Sequence, residues 1–74
     1  MPELPIISGK EAIKIFGSMG FKLVRQKGSH AVLRKRNKGC VIPLHNELAV
    51  GTLRSAIKQA GIAVEEFIDA YKNR

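Results

Sequence analysis

Gly28-Ser29-His30 is the stretch of this chain whose residue types could do chemistry at close range. An imidazole can give or take a proton near neutral pH. The Gly-Ser pair before it allows close backbone approach and supplies a hydroxyl. Cleavage of RNA by its own 2′-OH needs a base for that hydroxyl and an acid for the departing 5′ oxygen. It also needs positive charge for the phosphorane-like transition state. His30 suits the base or the acid, nearby Lys and Arg suit the charge, and Ser29 can hydrogen-bond a phosphate oxygen. A lone strand histidine in a basic protein is more often structural or simply exposed. The surrounding elements therefore have to decide.

The other candidates are weaker. His45, followed by Asn46 and Glu47, is either a second acid/base partner or, the favoured reading, a loop histidine that anchors the start of the second helix. Cys40 is the only cysteine, so no internal disulfide can form, and with two histidines it makes a poor metal set. It reads as a core or strand residue; no metal and no cofactor is expected. Arg34-Lys35-Arg36-Asn37-Lys38 is a solvated hairpin tip that can also grip phosphates, a contact that gives salt-dependent affinity without sequence information. Arg54 and Lys58 lie one turn apart on a predicted helix, where they meet phosphate or only keep the helix soluble. Phe16, Phe21 and Phe67 all fall on predicted core positions. That disfavours a base-stacking platform and fits duplex or structured RNA held by backbone and shape.

Several elements must position these residues. Met1 to Ile7 reads as an extended lead-in. Ser8 and Glu11 have capping-box spacing, and Ala12, Ile13, Phe16 and Met19 follow as one helical stripe that Gly20 stops. Phe21 to Lys27 predicts a strand, Gly28-Ser29 a turn, and His30 to Arg36 a second strand. Asn37-Lys38-Gly39 predicts a hairpin loop, and Cys40 to Leu44 a third strand that lies at an edge or ends at Pro43. Gly51-Thr52 leads into a helix carrying Leu53, Ala56, Ile57 and Ala60, stopped at Gly61. Val64, Phe67, Ile68 and Tyr71 mark a last helix, with Glu65 and Glu66 in its first turn.

The order α-β-β-β-α plus a terminal helix predicts a two-layer α+β domain whose sheet has helices on one face only. Alternation sends Ala31, Leu33 and Lys35 one way and His30, Val32, Arg34 and Arg36 the other. The second set should emerge on the open face, with Arg25 or Lys27 nearby.

The bulk numbers set the frame. Seventy-four residues predict one domain, 1–74, burying only about 60% of its unfolded surface. An apolar content of 45% argues against disorder. No run approaches the ~20 apolar residues of a membrane span and no signal-peptide pattern is visible, so the cytoplasm is the expected compartment. Thirteen Lys+Arg against six Asp+Glu give a net charge of +7, which favours nucleic acid, an anionic membrane or an acidic partner. No helix joins a continuous basic face to bulky aromatics, which weakens the membrane option.

The string Leu23-Val24-Arg25-Gln26-Lys27-Gly28-Ser29-His30 resembles the core motif of HicA-type toxins, small mRNA interferases of toxin–antitoxin pairs. Val41-Ile42-Pro43, His45, Glu47-Leu48, Gly51-Thr52-Leu53-Arg54-Ser55 and Lys58-Gln59-Ala60-Gly61 agree, as do Leu4-Pro5, Ser8-Gly9-Lys10-Glu11 and Val64-Glu65-Glu66-Phe67. The resemblance implies a fold similar to the double-stranded-RNA-binding domain. It also implies ribosome-independent cleavage of mRNA, which arrests growth, and a HicB-type antitoxin that covers the active surface. The family's essential histidine falls on His30, with Gly28 and Ser29 presenting it; no catalytic role is carried over to His45. Within this frame Arg25, Lys27, Gly28, Ser29, Arg34, Arg36 and Arg54 are the candidate RNA contacts. The chain departs from the pattern in a shorter loop between His45 and Gly51, in Ala49-Val50 where Lys-Pro is common, and in Ala63 where Ser or Thr is common. Two rivals remain: an RNA-binding module of the same fold without catalysis, and a pure interaction protein with a basic face for an acidic partner.

Overall fold

The computed structural model describes residues 3–73. Met1 and Pro2 of the lead-in lie outside the described residues. The order is α1 (Gly9–Ser18), β1 (Lys22–Lys27), β2 (His30–Lys35), β3 (Lys38–Pro43), α2 (Val50–Gln59) and α3 (Val64–Lys72). The strands form one antiparallel sheet in the order β1-β2-β3, with the helices against one face, giving the expected α+β, double-stranded-RNA-binding-domain-like architecture.

Local chemistry sets the helix ends. Ser8 accepts the Glu11 amide at 3.1 Å and Glu11 accepts the Ser8 amide at 3.4 Å, so the capping box forms. The helix ends at a glycine of φ 99°, and Gly61 after α2 has φ 72°. Ala63 has no side chain able to cap α3, but Glu66 takes the Ala63 amide at 2.8 Å, supplying half of the box. Ala49 likewise leaves the start of α2 without a side-chain cap, and that helix begins at Val50, ahead of Gly51-Thr52.

The core joins Ala12, Ile15 and Phe16 of α1 to Leu33, Cys40 and Ile42 of the sheet and to Leu53, Ile57, Phe67 and Ile68. Phe16 lies at its centre, 5.4 Å from the Phe21 ring and 5.1 Å from that of Phe67, close enough for aromatic attraction. Leu4, Ile7 and Leu48 come from segments without regular structure and are nevertheless buried. Among the described residues no charged side chain is buried.

Two boundaries differ from expectation. Phe21 precedes β1 instead of opening it. The β2–β3 turn is Arg36-Asn37, with Lys35 paired to Lys38, so Arg36 is not a strand residue. Arg36 has φ 59°, a left-handed conformation that costs a side-chain-bearing residue about 1–2 kcal/mol. The tighter turn gives Lys38 and Gly39 to the ladder, which extends β3 backwards from Cys40.

Candidate functional site

The sheet's open face is a small grid. Lys22, Arg34 and Gly39 form one row across it, Arg25, Val32 and Val41 the next, and Lys27, His30 and Pro43 the last. Ala31 and Leu33 are buried on the opposite side, while His30 and Arg34 are exposed, so the alternation in β2 is as expected. Cross-strand partners stand about 4.5–5.5 Å apart at Cα. Lys27 therefore sits directly beside His30, and Arg25 is a diagonal neighbour. Arg34 is about 13 Å further along the same strand.

Arg25, Lys27, Gly28, Ser29, His30 and Val32 line one open depression of about 560 Å³. The turn that forms its end has φ +59° at Gly28 and no positive φ at Ser29. Glycine first and a polar residue second is the chemistry of a II′ hairpin. The turn is also held from outside: the Leu44 amide donates to the Ser29 carbonyl at 2.6 Å. The following loop is tied in turn to α1, since the Gly9 amide donates to the His45 carbonyl at 2.9 Å. The imidazole thus projects from a pinned turn into solvent.

His45 acts here through its backbone; its side chain is exposed. Cys40 faces the helices, and burial pushes its thiol from 9.0 up to about 11. A thiol so hard to ionise is a poor nucleophile. Among the described residues no three His, Cys, Asp or Glu side chains come together.

The expected basic residues are not all in one place. Arg25, Lys27, Gly28 and Ser29 gather around His30, and Arg34 shares the face. Arg36, expected on that face, lies in the far turn about 20 Å along β2, because the hairpin closes one residue early. Lys35 points to the helix side, with Nζ donating to the Met19 carbonyl at 2.8 Å and lying over the Phe21 ring. Arg54 is exposed on α2 and does not line the depression.

Lys22 is an addition that strict alternation hides. Counting by twos puts Lys22 and Arg25 on opposite faces, but a β-bulge between Leu23 and Arg25 inserts Val24 and brings both to the open face. Charge is segregated as well. Between Lys22 and Pro43 there are seven Lys or Arg and no Asp or Glu; the rest of the chain balances six against six. The whole net charge of +7 belongs to the sheet and its two turns.

The family model for the HicA toxin of bacterial toxin–antitoxin matches residues 9–62. Among solved structures, the chain is similar to one from a toxin–antitoxin complex of Streptococcus pneumoniae. The two are 36% identical with a TM-score of 0.66, over 76% of this chain and 98% of that one. No curated protein matches.

Proposed function

The chain belongs to the HicA toxin family, and from that premise we propose that it is an endoribonuclease that cleaves mRNA independently of the ribosome. In this reading it acts in the cytoplasm, and a HicB-like antitoxin holds it in check. One observation carries the proposal: an exposed histidine on a pinned turn, within a sheet face that holds four cations and no acid.

The chemistry follows from that placement. The 2′-OH of a bound ribose loses its proton and its oxygen bonds to the adjacent phosphorus. The bond from phosphorus to the 5′ oxygen breaks, and that oxygen leaves with a proton. The products are a 2′,3′-cyclic phosphate and a 5′-OH. His30 performs one of the two proton transfers, Arg25 and Lys27 stabilise the extra negative charge, and Ser29 with the Gly28 backbone holds a phosphate oxygen. Arg34 carries the strand further along the face. Arg36 and Arg54, away from the depression, come into play for RNA long enough to leave that face. No metal is required by these steps.

The test is RNA incubated in excess chelator with the chain and with a His30→Ala variant. The chain is expected to leave a 2′,3′-cyclic phosphate, and the variant to cleave about 10²–10⁴-fold more slowly with its stability unchanged, because the ring is exposed. Equal cleavage by the variant, or loss of cleavage in chelator, would count against the mechanism. Salt-sensitive binding with no cleavage by either protein would make this an RNA-binding module instead.

A further inference from the structure

The two edges of the sheet are finished differently. On β3 the Val41 amide is taken by the Gln59 side chain at 3.2 Å, and two residues on Pro43 has no amide to offer. That edge is blunted in the usual ways. On β1 no strand pairs with the outer edge among the described residues, and all six residues are exposed. They include Leu23, 49% exposed, and Val24, 56% exposed, two adjacent apolar side chains on an edge that carries Lys22, Arg25 and Lys27 and no acid.

From this asymmetry we propose that the outer edge of β1 is a docking site for an extended acidic strand of a partner protein, which adds to the sheet and neutralises the charges beside His30. Backbone hydrogen bonds to an open edge supply affinity in strand addition, and the side chains supply specificity. Here Leu23 and Val24 offer apolar contact, while Lys22, Arg25 and Lys27 select carboxylates. A second copy of this chain is a poor occupant, because paired β1 strands would set those three cations against their own counterparts. Location gives the docking its consequence. Arg25 and Lys27 also line the depression, so a strand that pairs with their carboxylate-matched edge takes the charges RNA needs. The partner's identity rests on the toxin reading: it is the acidic antitoxin.

The experiment uses the cognate HicB-type antitoxin that the toxin reading implies, the intact chain, and a Leu23→Thr/Val24→Thr variant whose threonines are β-branched and strand-compatible. Ile6→Thr serves as the control at an exposed apolar site elsewhere. Docking on β1 predicts slowed backbone amide exchange along residues 22–27 in the complex. It also predicts roughly tenfold weaker antitoxin binding by the double variant, with RNA cleavage unchanged and the control binding normally. A complex that forms with β1 exchange unaltered and the double variant binding at full strength would overturn the inference while leaving the toxin reading intact. If the antitoxin fails to bind the intact chain at all, the partner reading and this inference fall together; cleavage of RNA by the free chain is scored separately.

Discussion

At the scale of single residues, the two side chains that could act as proton donors or nucleophiles in the sheet have opposite surroundings. His30 projects from the open face, whereas Cys40 is 3% exposed among Leu33 and the helices. Burial raises the Cys40 thiol from 9.0 to about 11. A pKa higher in the folded than in the unfolded chain means stability that is fully present below about pH 9 and lost as pH rises through about 11. The expected loss is about 2–3 kcal/mol, at about 1.4 kcal/mol per pKa unit. The measurement is urea unfolding of the chain beside a Cys40→Ala variant between pH 8 and 11. The gap between the two should narrow toward high pH. Parallel curves would mean that the thiol ionises as readily folded as unfolded. Residue type and strand alternation were enough to read His30 as exposed and Cys40 as interior. Neither says where a turn closes, which is why Arg36 was misplaced.

At the scale of elements, the turn that presents His30 depends on how α1 meets the end of β3. A Cβ built on Gly9 would stand 2.2 Å from the Pro43 carbonyl oxygen, a backbone atom that cannot swing aside. Gly9 therefore lets α1 press against the strand end that pairs with His30, and its amide holds the His45 carbonyl of the loop. A Gly9→Ala change should destabilise the chain by about 1–3 kcal/mol, the usual cost of overpacking, as read by the shift of its urea midpoint. It should also lower the cleavage rate at saturating RNA, because Leu44 of the same loop pins Ser29. A variant as stable as the parent would show that the helix gives way without cost. This contact was beyond reach of the sequence, since Gly9 reads only as the second residue of a capping box. Helix order, the Ser8–Glu11 cap and the strand order were legible because each follows from local periodicity and turn chemistry. The burial of Leu4, Ile7 and Leu48 was not, because loop residues reach the core without any periodic signature. The bulge at Val24 escaped for a related reason: an added residue in a strand has no mark in an apolar/polar pattern, yet it decides the face that Lys22 occupies.

At the scale of the whole molecule, charge divides by layer. The sheet and its two turns hold the entire excess of +7, and the rest of the chain is balanced. A polyanion should therefore be drawn to the sheet, and the salt dependence of binding measures where its phosphates sit. Each phosphate neutralised contributes about 0.7 to 0.9 to the slope of log affinity against log salt. Replacing Arg25 and Lys27 together by Gln should lower that slope by about 1.5. With a hairpin too short to leave the sheet face, replacing Arg54 and Lys58, exposed on α2 in the other layer, should leave it nearly unchanged. The comparison, made by titrating one RNA hairpin at several salt concentrations, separates two modes of engagement. A sheet-only footprint places a strand along the open face from His30 toward Arg34, with the helices facing solvent. A slope that falls equally for both double variants would instead mean that RNA reaches both layers. That result would fit a duplex, whose successive grooves can engage separate parts of a small domain. His30 would then meet a scissile phosphate at the boundary between paired and unpaired RNA, and cleavage should favour hairpin junctions over unstructured strands of the same sequence.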